Sequence, residues 1–132
     1  MSTTWPDAGQ LEAFLAAPQD EPVVMMNLLR LKSDPAGLPP GDTARDVMMR
    51  YAEPMRRYVE AHGGEFVFAG DVASQLIGHG GEDFAFVSIM RYPSRRVFLE
   101  LAGDAEIAET IGKHRDLALD SQWLLVMTEA SV

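Results

Sequence analysis

The sequence of 132 residues contains no cysteine. That excludes disulfides, a thiol nucleophile and thiolate metal ligands, and it fits a reducing cytoplasm. Long apolar runs are also missing, and nothing approaches the roughly 20 residues of a membrane span. The opening "MSTTWPDAGQ" lacks a basic region followed by an apolar one, so no secretory leader is expected. Positive charge is scarce: 11 Lys and Arg stand against 20 Asp and Glu, a formal net charge of -9. A surface of that sign repels phosphate backbones and anionic lipid, so neither nucleic acid nor membrane is expected as a partner. The 3 histidines, His62, His79 and His114, show no H-x-H or H-E-x-x-H spacing, so no metal site is expected. No G-x-S-x-G elbow and no glycine-rich phosphate loop occurs, which leaves hydrolase and nucleotide-binding readings unsupported, and His79 in "GHGGED" reads as a turn. No cofactor is expected.

What remains is a chain sized for one domain, residues 1–132. "WPDAGQLEAFLAAP" reads as an extra N-terminal helix over 7–17, with Asp7 and Gln10 as a capping box, Leu11, Phe14 and Leu15 on one face, and Pro18 as the stop. The core runs 22–127. It begins with a strand, Pro22 to Lys32, and a Pro- and Gly-rich loop, Ser33 to Asp42, expected at a cavity mouth. A helix capped by Thr43 follows. Its inner face is Val47, Tyr51, Met55, Tyr58 and His62, with a kink or split near Ala52 caused by Pro54, and Gly63 and Gly64 end it. A second strand region spans Glu65 to Gly78, with a bulge or bend at Gly70, and a third spans Phe84 to Tyr92. Ser94 caps a helix that packs Val97, Phe98 and Leu101. Asp104 opens another, with Ile107, Ile111, His114 and Ala118 as its stripe. Gln122 to Met127 is the last strand. The resulting βαββαβ order is a ferredoxin-like α+β fold.

Such a sheet carries helices on one face, and the other should be polar. Here both are apolar. Ala85, Val87 and Ile89 oppose Phe84, Phe86 and Met90, and Trp123, Leu125 and Met127 oppose Leu124 and Val126. Each large apolar side chain gains about 1.5–3 kcal/mol on burial, so an open face of this kind demands a cover. A second copy, sheet against sheet, supplies one and predicts a homodimer. The alternative cover is the first helix and the long loop.

Several segments together resemble a widespread bacterial family of domains of unknown function: "PVVMMNLLRLK", "YAEPMRRYVEAHGGEFVFAGDV", "VSIMRYPSRRVFLEL" and "HRDLALDSQWLL". The resemblance covers most of Pro22 to Leu125, and "RYPSR" and "NLLR" are its more specific pieces. It implies the dimeric α/β-barrel fold, a ferredoxin-like variant, whose superfamily includes cofactor-independent monooxygenases, isomerases, lyases and haem-binding proteins. A dimer with a small-molecule cavity is implied by it, and no catalytic residue is.

Four residues are candidates for chemistry. Asn27 is polar within an apolar strand, either bonded structurally or a directional group facing a cavity. Arg91 ends the third strand, either in a surface ion pair or as a fixed fork for a carboxylate, phenolate or enolate. Strand alternation puts Arg91 and Tyr92 on opposite faces, and Arg91 is taken as the cavity residue. His114, on an apolar stripe, is a core histidine or a cavity-facing acid/base, a role open to imidazole because that side chain ordinarily changes charge near neutrality. Tyr51, near Pro54, is core packing or a second proton carrier. The functional reading gathers Asn27 and Arg91 as ligand-binding groups with His114 and Tyr51 as catalytic ones. It describes a cofactor-free oxygenase, isomerase or lyase acting on a small carbonyl or aromatic metabolite. The alternative is a non-catalytic homodimeric binding or structural protein, and a haem protein resting on His114 alone comes third.

Overall fold

The structure, a computed structural model, describes residues 5–34 and 36–132, apart from the side chains of Thr110 and Ile111. The opening segment, where no leader was expected, lies partly outside these residues, as do Pro35 of the long loop and the Ile111 side chain expected on the inner stripe. Strand β1, Val23–Leu31, pairs antiparallel with β3, Phe86–Tyr92, on one side and β4, Leu119–Met127, on the other. Strand β2, Glu65–Asp71, completes a four-stranded sheet in the order β2-β3-β1-β4. Helix α1, Ala8–Ala16, precedes this core, α2, Ala44–Ala61, joins β1 to β2, and helices follow β3. This is the ferredoxin-like α+β fold of dimeric α/β-barrel proteins. No described helix is long and apolar enough to cross a membrane.

Burial alternates along the two central strands because successive side chains point to opposite faces. Val23, Met25, Asn27 and Leu29 are buried, as are Phe86, Ser88, Met90 and Tyr92, and the residues between them are half-buried. Register puts Asn27 opposite Ser88 and Met25 opposite Met90, so both buried sets share the face toward the helices.

The helix starts follow local chemistry. The Asp46 N–H donates to Thr43 Oγ1 at 3.1 Å, and the Thr43 N–H donates to the Asp46 carboxylate at 2.9 Å. Asp7 and Gln10 make the same reciprocal pair. Helix α2 buries Val47, Met48, Tyr51 and Val59, and it continues as one helix through Pro54 rather than splitting near Ala52. Pro54 lies on the exposed side, where water can serve the carbonyl that proline leaves without a donor. The chain turns at Gly63, with φ at 84°, and Gly64 then lets α2 meet β3. A Cβ at Gly64 would stand 2.5 Å from Val59 Cγ1 and 3.0 Å from the Arg91 carbonyl oxygen.

Strand β2 ends at Asp71, short of Gly78. Beyond it Gln75 bonds its own turn, donating to the Ile77 carbonyl at 3.0 Å and accepting from the Gly81 N–H at 2.8 Å, which competes with sheet pairing. The irregular register falls between Phe66 and Phe68 rather than at Gly70. Gly70 instead leaves room for the Phe68 ring, whose atoms lie 2.8 Å from where a Cβ would be.

Ser94 caps α3, Arg95–Ala102, and Asp104 caps the next helix by accepting from the Ile107 N–H at 3.0 Å. That helix is not uniform. It begins as α4, Ala105–Ile107, widens to a π-helical turn over Ala108–Gly112, and continues as α5, Lys113–Ala118.

The outer face of the sheet stays open. Phe68 is 56%, Trp123 50% and Leu125 46% exposed. Neither alternative cover lies there. Phe14 of α1 packs on Phe98, and Leu38 of the long loop packs on the core beneath α2, both on the helix side. On the open face Arg30 lies over the Phe84 ring at 3.7 Å, donates from Nε to Asp83 at 2.6 Å and donates from Nη2 to the Gly80 carbonyl at 2.9 Å. It thereby fastens the turn before β3 to the sheet.

Candidate functional site

Between the helices and the inner face of the sheet lies a cavity of about 240 Å³. That is room for several waters or a small organic molecule. Its walls are mainly Leu, Met, Phe and Ala, and its polar groups come from both sheet and helices. Asn27 and Gln122 stand on β1 and β4, Ser88 on β3, Tyr51 on α2 and Arg115 on α5. Trp5, largely exposed, also lines it, with the Arg115 guanidinium 4.9 Å from its ring centre.

Asn27 and Gln122 are diagonal neighbours on adjacent strands, since Asn27 faces Leu124 and Leu29 faces Gln122. Gln122 Nε2 donates to Asn27 Oδ1 at 2.7 Å. Asn27 Nδ2 and Gln122 Oε1 are then buried without a hydrogen-bond partner among the described residues, and so is the Tyr51 hydroxyl. Asn27 and Tyr51 are each only 8% exposed. Burial pushes the Tyr51 phenol up to about 12, so it is a neutral O–H at physiological pH and not a base. Tyr92, whose hydroxyl donates to Met90 Sδ at 3.7 Å, is likewise pushed up to about 12 by burial. Burial lowers the Arg115 pKa, with Asp116 opposing the shift, yet a guanidinium stays charged. The described residues lining the cavity include this cation and no carboxylate or imidazole.

Of the expected site residues, Asn27 and Tyr51 line this cavity and Arg91 and His114 do not. Arg91 is corrected by strand parity. Register pairs it with Val24 on the open face, where its guanidinium donates to Glu65 at 3.0 Å, and Tyr92 takes the inner side. His114 is corrected by the wide turn. A 3.6-residue period carried through from Ile107 brings His114 inward. The π turn absorbs about one extra residue, so Gly112 and then Arg115 come round instead. His114 is exposed, and its ring lies against Tyr51 with centroids 4.8 Å apart. The long loop does not stand at the mouth of this cavity, although its Ser33 and Asp34 border a separate surface pocket beside Arg30 and Asp83. Its described residues line none of this cavity, because Leu38 packs on the core and Asp42 takes both Nη1 and Nη2 of Arg50, at 2.7 and 2.6 Å. Gln122 and Arg115 were missed. Gln122 carried a readable signal, a polar residue in an apolar alternation like Asn27. Arg115 carried none, since nothing local announces the wide turn.

The chain is similar to RPA0582, a protein of unknown function from Rhodopseudomonas palustris. One crystal structure, of the methylated protein, matches with a TM-score of 0.82 at 28% identity over 99% of this chain and 98% of that one. A second structure matches with 0.78 at 28% identity over the full length of both. SnoaB, a cofactor-independent oxygenase from Streptomyces nogalater, shares the fold with a TM-score of 0.52 at 13% identity over 85% of this chain and 96% of its own. So does a dimeric protein of unknown function and ferredoxin-like fold from Bacteroides fragilis, with 0.51 at 16% identity over 83% and 98%. No protein-family model matches the chain, and no curated protein does.

Proposed function

We propose that the protein is a homodimer in which each protomer binds one small, largely apolar molecule with a carbonyl-type oxygen between sheet and helices. One observation carries this reading: three residues from three elements, Asn27, Tyr51 and Gln122, line one apolar cavity, and each carries a buried polar atom without a partner among the described residues. Each such atom costs about 1–3 kcal/mol, a cost that a core built only for stability avoids. Apolar walls with a few fixed polar groups are the usual form of a small-molecule site. Arg115 and the Tyr51 hydroxyl would hold the ligand's oxygen, and Met and Phe side chains would hold its body. The uncovered outer face supplies the argument for the second copy, and the dimer described for the Bacteroides fragilis protein supports it.

Binding is favoured over proton-abstraction catalysis by the wall's chemistry. With no carboxylate or imidazole among the described lining residues, and Tyr51 held neutral, the cavity offers no general base near neutrality. Cofactor-independent oxygenation of the kind described for SnoaB would suit only a substrate that ionises unaided, its anion resting on Arg115 and Tyr51. Calorimetric titration with flat aromatic ketones and their parent hydrocarbons tests the proposal. Saturable binding of one ketone per protomer is expected, weakened by Tyr51→Phe while hydrocarbon binding is unchanged. Failure of every compound to saturate would remove it.

A further inference from the structure

We infer that the cavity selects a ligand carrying an N–H or O–H donor beside its carbonyl, such as a lactam, a carboxamide or a hydroxylated ketone, rather than a simple ketone. The inference rests on the proposed small-molecule reading and narrows it.

Its basis is the arithmetic of the Asn27–Gln122 pair. Two carboxamides together hold two NH2 groups and two carbonyl oxygens. Their single bond, from Gln122 Nε2 to Asn27 Oδ1 at 2.7 Å, leaves one NH2 and one carbonyl without partners among the described residues. Turning both amides end for end exchanges the roles of the two side chains and leaves the same remainder. The pair therefore presents a donor and an acceptor together.

The donor is not distinctive, because Arg115 and the Tyr51 hydroxyl already favour an acceptor on the ligand. The acceptor is. With no carboxylate or imidazole among the described lining residues, the leftover amide oxygen is the strongest fixed side-chain acceptor of the wall. Only a ligand that donates can satisfy it. A site built to bond an N–H or O–H discriminates strongly against an analogue that lacks it, because its own buried group is then left unpaired.

Three flat probes of similar size separate the possibilities: 2-quinolone, which donates and accepts, N-methyl-2-quinolone, which only accepts, and naphthalene, which does neither. In calorimetric titration of the intact protein, 2-quinolone should bind at least tenfold more tightly than the other two. The double variant Asn27→Leu with Gln122→Leu removes both amides together and leaves no orphaned partner. It should lose that preference while still binding naphthalene. Equal affinity for the three probes would overturn the inference and leave the apolar cavity standing. A preference that survives the double variant would also overturn it. Binding of none of the three would remove the small-molecule reading along with it. Should the double variant fail to fold, the comparison of probes on the parent protein decides alone.

Discussion

A polar side chain buried without a partner answers to mutation unlike one that is bonded. Tyr51→Phe removes a hydroxyl with no partner among the described residues, so stability should stay level or rise by about 1 kcal/mol. Tyr51→Ala empties the ring's place and should cost about 3–5 kcal/mol. Urea denaturation reads both, and a loss above about 2 kcal/mol in the Phe variant would mean that the hydroxyl is bonded after all. Alkali gives a second test. Tyr51 and Tyr92 are held up at about 12 by burial, against about 10 in an unfolded chain. Their folded pKa values are raised, so the stability they confer is intact below about pH 10 and is lost as pH rises toward 12. The urea midpoint should fall across that window, and less steeply in Tyr92→Phe. A midpoint that climbs there would contradict the assignment. At this scale the sequence was half legible. Asn27 stood out as a polar interruption of an apolar strand. Arg91 could not be placed, because alternation fixes only that Arg91 and Tyr92 differ. Which of them points inward depends on the pairing of β3 with β1, a contact between distant parts of the chain.

At the scale of elements, local chemistry wrote itself plainly into the sequence at helix starts. Asp7, Thr43, Ser94 and Asp104 all accept from backbone N–H groups as caps, and Gly63 turns the end of α2. Gly64 belongs to another class. Its φ needs no glycine, but its missing side chain lets the end of α2 touch the backbone of β3. Gly64→Ala should therefore destabilise by about 1–3 kcal/mol through overpacking, visible as a lowered thermal midpoint. A neutral result would show that the contact relaxes freely. The end of β2 and the wide turn after α4 were illegible for a shared reason. Each is decided by competition between near-equal hydrogen-bonding patterns, which periodicity does not rank.

For the whole molecule, the topology followed from element order, and the doubled apolar pattern of the strands foretold an uncovered sheet face. Sedimentation at micromolar concentration should give the mass of a dimer. Leu125→Lys, placing charge on that face at a site 46% exposed in the single chain, should give a folded monomer with unchanged helix content. A parent protein that sediments as a compact monomer would overturn the proposed assembly.

The wide turn over Ala108–Gly112 can also be read as a register device, holding one residue more than a regular helical turn would. A helix that gains one residue, while the halves on either side keep their places, must store the surplus as such a turn. Losing a single codon within it would let the helix close into a regular spiral without rotating α5. The guanidinium of Arg115 would then keep its station in the cavity wall, and a crystal structure of the chain lacking Glu109 would show it there. In any related chain without the surplus residue, the counterpart of Arg115 would sit one place earlier. An ungapped comparison would set that counterpart against His114 and mistake a shift of one residue for a change of chemistry.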